Sequence, residues 1–383
     1  MNRGLVKPKL LYVLTEDWFF HSHFLERAKA ATASGFKVGI VARGSRCRNA
    51  TLDEGFEFFD VPFKRSSLNP VNNIRVLLKL IHIYRSFLPN ILHHVGAKPI
   101  MLGSIAASLV GIKTVINAPV GMGFIFSSER LYAKFLRPMV LMAYKLTLKL
   151  APSKIIVENS DDLEMFINIG AVKRDSCYLI RGAGVDLNLF RPNMQTKDEV
   201  LVVLFARMLR DKGVREFYLA AKSLRSHSVK ARFILVGKPD PENPTSIPEK
   251  TLLLWDAEGF VEYWGWRDDI SGILGQAELV CLPSYREGLP KTLLEACAAG
   301  VPIVTTDTTG CRDAVTDGEN GFLVPVRSVA ELASALERLI NDPLLRRRMA
   351  AAGRKRAEMF FGSEQICFET LTVYRDALKL GEL

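Results

Sequence analysis

Leu279-Val-Cys-Leu-Pro-Ser-Tyr-Arg-Glu287-Gly-Leu-Pro-Lys-Thr-Leu-Leu-Glu295-Ala-Cys-Ala-Ala-Gly300 is the stretch whose reading decides the fold. Its opening, Leu279–Leu282, is a short apolar run closed by Pro283 and Ser284, the pattern of a buried parallel strand and its exit. Pro290 suits the first position of a helix, where a missing N–H costs nothing. Leu293, Leu294 and Cys297 then recur at helical spacing until Gly300-Val-Pro302 stops the run. Strand, tight loop and helix start follow one another, and the free N–H groups around Gly288, Leu289, Pro290, Lys291 and Thr292 can receive a phosphate. Glu287 lies in the loop, and Glu295 lies about 7 Å further along the helix axis. One carboxylate before a phosphate-binding helix start and one beyond it suit the sugar, diphosphate and ribose of a nucleotide-sugar. The pattern points to glycosyl transfer. A two-carboxylate hydrolase needs both acids flanking one bond, which a phosphate site between them disfavours.

Around this stretch the chain alternates strand-like and helical patterns, which predicts parallel α/β sheets. Expected strands lie near residues 9–14, 37–41, 56–59, 91–94, 114–117 and 155–158, then 200–206, 232–237, 261–265, 279–282 and 301–305. At 383 residues and 48% hydrophobic content, two domains of similar size are expected. Tyr178–Pro192 carries the Gly and Pro signals of a boundary, and a final amphipathic helix begins at Ser363.

The six cysteines are scattered with no C-x-x-C pair, as reduced core thiols would be. No metal-ligand cluster is visible. The N-terminus lacks a signal-peptide pattern, and no run of uncharged apolar residues is long enough to span a bilayer. A cytoplasmic protein is expected.

Charge is distributed unevenly. Residues 1–190 hold 25 Lys/Arg against 14 Asp/Glu, a surplus of 11, and the remainder holds 26 against 27. Between Val61 and Val157 thirteen basic residues face one acid, Glu129. Such a surface attracts polyanions or an anionic membrane. In Leu131–Leu150, Lys134, Arg137, Lys145 and Lys149 share one helical face, while Phe135, Met139, Met142 and Leu146 form a separate apolar stripe. Two readings stand: a helix lying on an anionic bilayer, or one packed on the sheet with a solvated basic face. The aromatic–basic repeats of RNA-binding modules are absent, so nucleic acid is not expected as a partner.

Ser-x-x-Glu-Gly-Leu-Pro with the second Glu eight residues after the first resembles the retaining glycosyltransferases of family 4. That resemblance implies the GT-B fold: two facing Rossmann-like domains, a cleft between them and a C-terminal helix crossing back. It implies residues 1–190 as the acceptor-binding domain, 191–362 as the donor-binding domain and 363–383 as the returning helix. Glu287 would contact the donor sugar and Glu295 the ribose. Arg207 and Lys212, in Arg-x4-Lys-Gly after the strand at 200–206, resemble the family's diphosphate pair. Cations there stabilise the departing diphosphate more than the ground state. Arg210, between them, reads as an exposed neighbour.

Gly237 resembles the Gly that lets backbone approach the donor, although a plain turn Gly is an equal reading. Trp266-Arg267 falls where the family reads the base, which supports UDP or GDP, and Trp266 could equally be packing. Enough positive potential is present to dispense with a metal cofactor.

On the acceptor side, Glu-Asp-Trp-Phe-x-x-Ser-His after the first strand resembles bacterial enzymes that extend sugars on undecaprenyl diphosphate. Asp17 and His21 are candidates there, with Gly121 and Gly123 in a flexible loop. The third Gly of a dinucleotide fingerprint is missing at Phe126.

The expected activity is transfer of a hexose or N-acetylhexosamine, from a UDP-sugar ahead of a GDP-sugar. The acceptor would be a lipid-linked sugar, in lipopolysaccharide or other surface-glycan assembly. The enzyme would be peripheral on the inner face of the plasma membrane. Alternatives are a soluble transferase with a small acceptor, a nucleotide-sugar epimerase or hydrolase, and, last, a non-catalytic polyanion binder.

Overall fold

A computed structural model describes residues 7–45, 47–65, 69–121, 126, 131–151, 153–193 and 199–381. The chain forms two compact units, one of Met1–Ala183 with Glu364–Leu383, the other of Gly184–Ser363.

The first unit is built on seven strands: β1 (Lys9–Glu16), β2 (Lys37–Arg43), β3 (Glu57–Asp60), β4 (Ile91–Val95), β5 (Val115–Ala118), β6 (Ser153–Val157) and β7 (Cys177–Leu179). Their order is β3-β2-β1-β4-β5-β6-β7, and the neighbours pair in parallel. Strands β1 and β2 read as nearly continuous apolar runs because helices cover both faces. Leu10, Tyr12 and Leu14 point into one core, Leu11 and Val13 into the other. The helix Ser363–Gly381 supplies Ile366, Val373, Tyr374 and Ala377 to the first of these cores. Tyr374 fixes it there, because its hydroxyl meets the Tyr12 hydroxyl and His93 Nδ1, both at 2.7 Å, among fully buried residues.

The second unit has six strands: β8 (Val200–Phe205), β9 (Ala231–Val236), β10 (Glu262–Gly265), β11 (Leu279–Leu282), β12 (Ile303–Thr306) and β13 (Gly321–Val324). They run parallel in the order β10-β9-β8-β11-β12-β13. Successive side chains again alternate between two cores. Neither β7 nor β13 was expected from the sequence; both are edge strands of three or four residues, too short for periodicity to reveal. Among the described residues no helix is long and apolar enough to cross a membrane.

The helix Leu131–Leu148 settles part of the ambiguity in its sequence. Among its described side chains, Ala133, Tyr144 and Leu148 are buried. Phe135 is 75% exposed and Met139 60%, and Met142 and Leu146 are also more than half exposed. The apolar stripe therefore faces away from its own core.

Candidate active site

In both sheets the strand order reverses beside the first strand, and the loops leaving the carboxyl ends there open a crevice for ligands. In the second unit this point lies between β8 and β11. Two glycines bring the loops together. Gly213 has φ +69, and a Cβ on it would lie 2.1 Å from the carbonyl oxygen of Pro283. Gly310 has φ +79, and its Cβ would lie 2.3 Å from the Gly288 oxygen. Only residues without a side chain permit such approaches. The loops are then tied by Tyr285 N–H to Asp211 O at 2.9 Å and Glu287 N–H to Thr309 O at 3.1 Å. Tyr285 also donates its hydroxyl to Glu216 Oε1 at 2.7 Å.

This scaffold joins Lys212 to Glu287 across 75 residues of sequence. Lys212 Nζ donates to Glu287 Oε1 at 2.5 Å and Oε2 at 2.6 Å, and Ser284 Oγ donates to Oε1 at 2.6 Å. Both side chains are mostly shielded, at 20% and 10% exposure. Arg207 takes a different partner. Its Nη1 donates to Asp240 Oδ2 at 2.6 Å, in the loop after β9. Each expected diphosphate cation is thus paired with a carboxylate of the same unit. Arg210 is exposed.

Pro290 is the residue before the helix rather than its first residue; the helix spans Lys291–Ala298, and Pro290 at φ −70, ψ 115 caps it without a side-chain acceptor. Gly288, Leu289 and Pro290 are buried, while Lys291 and Thr292 are half-buried. Glu295 is buried in this helix, and burial raises its pKa from 4.5 to about 6 despite the opposing Lys291 ammonium 3.6 Å away.

Gly237 has φ +140, and its missing Cβ would lie 1.8 Å from the Ala206 oxygen, so β8 and β9 can exit side by side. Trp266 is half exposed, with its indole N–H on Asp268 and Lys238 Nζ 5.2 Å from a ring centroid. It is not core packing. Exposed Arg267 lies over Trp264.

In the first unit Asp17 is fully buried. Its carboxylate accepts from the amides of Trp18, Ser45 and Cys47 and from Ser45 Oγ. It braces the segment after β2. His21 Nε2 meets Thr51 Oγ1 at 2.8 Å. Gly121 is left-handed at φ +55, and Gly123 lies outside the described residues. Sequence reading passed over Glu16, Arg43, Arg65 and Asp240. Glu16 and Arg43 each end an apolar strand, the position at which parallel sheets place ligand groups. Among the described residues no group of three His, Cys, Asp or Glu side chains could hold a metal ion.

Two parallel sheets, each reversing its strand order beside its first strand, and a basic–acidic pair at the second reversal give a two-unit doubly wound α/β architecture. Residues 187–356 match the family described as glycosyl transferases group 1, and residues 9–159 match glycosyl transferase 4-like. The chain is 30% identical over 311 residues to N,N'-diacetylbacillosaminyl-diphospho-undecaprenol alpha-1,3-N-acetylgalactosaminyltransferase of Campylobacter jejuni, covering 78% of this chain and 80% of that one. It is 24% identical to UDP-Gal:alpha-D-GlcNAc-diphosphoundecaprenol alpha-1,3-galactosyltransferase of Escherichia coli, covering 81% of each. Sucrose-phosphate synthase from Thermosynechococcus elongatus superposes with a TM-score of 0.80 at 19% identity, over 97% of this chain and 100% of that one. Anabaena HepE in complex with UDP superposes with a TM-score of 0.75 at 16% identity, over 96% and 100%. The chain belongs to the group 1, family 4-like glycosyltransferases and has their GT-B fold.

Proposed function

We propose that this enzyme is a retaining glycosyltransferase that moves a hexose or N-acetylhexosamine from a nucleotide-sugar, UDP-linked ahead of GDP-linked, to a lipid-linked saccharide. The observation that carries the reading is the Lys212–Glu287 pair at the crevice of the second sheet. Glu287 orients the donor sugar. Lys212 and Arg207, exchanging Glu287 and Asp240 for phosphate oxygens, stabilise the charge that gathers on the nucleoside diphosphate as its bond to the sugar breaks. The amides at Gly288, Leu289 and Thr292 add to that potential, so no metal is needed. The same donor phosphate accepts the proton of the attacking hydroxyl on the face it leaves, and configuration is kept without a protein nucleophile. Glu295 accepts from the ribose hydroxyls, and Gly237 and Arg267 border the nucleotide. Gly184–Ser363 takes the donor and Met1–Ala183 the acceptor.

The helix Leu131–Leu148 packs through Tyr144 and Leu148, and its outward apolar stripe, with exposed Lys134 and Lys149 beside it, supports contact with an anionic membrane. On this reading the enzyme is peripheral on the inner face of the plasma membrane. Both relatives named above carry diphospho-undecaprenol in their names, which supports a lipid-linked acceptor.

The test is a transfer assay with UDP-, GDP- and ADP-sugars on anionic vesicles bearing a lipid-diphosphate-linked saccharide, with chelator present. Transfer that needs the acceptor, survives the chelator and weakens with salt as the enzyme leaves the vesicles is expected. Turnover without acceptor would indicate an epimerase or hydrolase, and a divalent-ion requirement would refute the phosphate site described.

The raised pKa of Glu295 gives a pH dependence of defined sign. The folded group holds its proton more tightly than the unfolded one. Its contribution to stability is therefore complete below pH 4.5 and lost as pH rises through about 6, an effect of about 2 kcal/mol. Ribose binding needs the ionised form. Affinity for a UDP-sugar, whose diphosphate has no ionisation near pH 6, should rise as pH is raised through about 6, falling about tenfold per unit below it, and Glu295→Gln should abolish the step in calorimetric titrations.

A further inference from the structure

In the first sheet the connections β3 to β4, β4 to β5 and β5 to β6 all step the same way along the strand order. Right-handed crossovers therefore set their helices on one face. These helices are Pro70–Phe87, Ala97–Val110 and Leu131–Leu148, and the middle one packs against both others. Their inward residues agree with that layer. Val76, Leu80 and Tyr84 share a core with Ala106 and Ala107, and Ile100 shares another with Tyr144 and Leu148. The helices Leu25–Ala33 and Ser363–Gly381 cover the opposite face.

The two faces differ in charge. None of the three helices contains Asp or Glu, whereas Glu26, Glu364, Glu369 and Asp376 lie on the helices opposite. Acids return to the first face at Ser160–Asn168, where Glu164 is taken by Arg174 at 2.6 Å. Glu129, between the second and third helices, lies outside the described residues. Among the described residues, exposed Arg75, Lys79, Arg85, Lys134 and Lys149 form no ion pair.

Pro70–Phe87 shows apolar side chains to solvent as well as cations. Val71, Ile74 and Leu78 are 73%, 57% and 61% exposed, and their spacing puts them on one stripe away from buried Val76, Leu80 and Phe87. Arg75 and Lys79 flank that stripe. Leu131–Leu148 repeats the arrangement with its own outward stripe, and Leu109 on the helix between them is exposed too. Packed helix axes lie about 8–10 Å apart, so the two outer stripes stand roughly 16–20 Å apart. That is wider than one peptide helix, about 10 Å across. A second copy of the same face would bring cations against cations, which opposes pairing. A bilayer with anionic headgroups meets both stripes and all the cations at once.

We propose that Pro70–Phe87 is a second membrane-contact element. Val71, Ile74 and Leu78 enter the headgroup region, Arg75, Lys79 and Arg85 meet lipid phosphates, and the layer of three helices lies flat on an anionic bilayer. This rests on the proposed membrane contact of Leu131–Leu148 and extends it to a helix two elements earlier in the chain.

Co-flotation of full-length enzyme with phosphatidylcholine vesicles, with and without phosphatidylglycerol, tests the contact. Salt-sensitive flotation on the anionic vesicles alone is expected. Arg75→Gln with Lys79→Gln should lower the partition coefficient more than tenfold, since each cation near such a surface counts for about fivefold. Ile74→Ser with Leu78→Ser should lower it about tenfold through lost apolar contact. All four residues are exposed, so unfolding midpoints and transfer to a water-soluble acceptor should match wild type. Leu78→Trp gives a local readout: its added emission should be quenched by brominated lipid. Wild-type flotation in both double variants, with no added quenching, overturns the proposal whatever Phe135→Ser with Met139→Ser does. Loss of flotation in that last pair alone leaves the contact of Leu131–Leu148 standing by itself. Equal flotation on neutral vesicles, or none on anionic ones, overturns both contacts. Self-association that Leu78→Ser abolishes, without flotation, assigns the face to a second copy and overturns the proposal. An enzyme that floats by this face yet transfers to no lipid-linked saccharide refutes the proposed acceptor alone.

Discussion

Lys212→Ala should lower kcat by about 10²–10³-fold, the usual effect of removing one fixed positive group from the charge that develops in a transition state. The ammonium is held within 2.6 Å of both Glu287 oxygens, so its loss acts twice. The diphosphate loses a cation, and Glu287, at 10% exposure, loses its main partner and keeps only the Ser284 hydroxyl and lesser contacts. A largely shielded carboxylate without its cation repels an approaching phosphate. Donor affinity should therefore fall together with kcat. Lys212→Arg keeps the charge and should recover part of the rate. Lys212→Met keeps the stem without the charge and should behave like Ala. Steady-state rates on the three variants, with circular dichroism to confirm folding, separate charge from packing. Activity in Lys212→Ala within a few-fold of wild type would remove Lys212 from the reaction. Arg207→Ala should be milder, because Arg207 is paired with Asp240 and is 39% exposed, where screening by water weakens it.

The parts of this site that could be read from sequence share a property: their positions follow from strand ends. Strands β1, β2, β8, β9 and β11 are long or wholly apolar. Once a parallel sheet is inferred, the residue after each strand must lie at one edge. Lys212 and Glu287 could be placed in one crevice on that ground before any coordinates. What escaped depends on contacts between loops. Nothing in Arg207-x4-Lys shows that Asp240, thirty-three positions on, would pair with the arginine. Asp17 was conspicuous as a carboxylate after a strand, yet it is spent on three backbone amides. Glu16, one residue earlier at the end of a core strand, is the group that meets Arg43 and Arg65. A shift of one residue reverses the face of a strand, and sequence periodicity is blind to that at a terminus. The helix Leu131–Leu148 shows the same limit: its amphipathic pattern was plain, but which stripe faced the core was not.

Gly237→Ala should destabilise the enzyme by about 4 kcal/mol or more, placing it among the rare severe substitutions. Two costs combine. At φ +140 an L-residue meets backbone clashes that Gly avoids. The added Cβ would also stand 1.8 Å from the Ala206 carbonyl oxygen. That oxygen cannot withdraw freely. The Ala206 amide is bonded to Val236 O at 3.1 Å, the Met208 amide to Lys238 O at 3.0 Å, and the Gly237 amide to Gly265 O at 2.8 Å. Relief therefore requires β8, β9 and β10 to separate at their carboxyl ends, beside the proposed donor site. The sequence left Gly237 open between a turn and a close approach to the donor, and the substitution distinguishes them. A role confined to donor approach would raise the donor KM and leave urea unfolding unchanged. Backbone crowding shifts the unfolding midpoint of the enzyme in the absence of any nucleotide. The second result is expected, since the space a side chain would need is already occupied by protein.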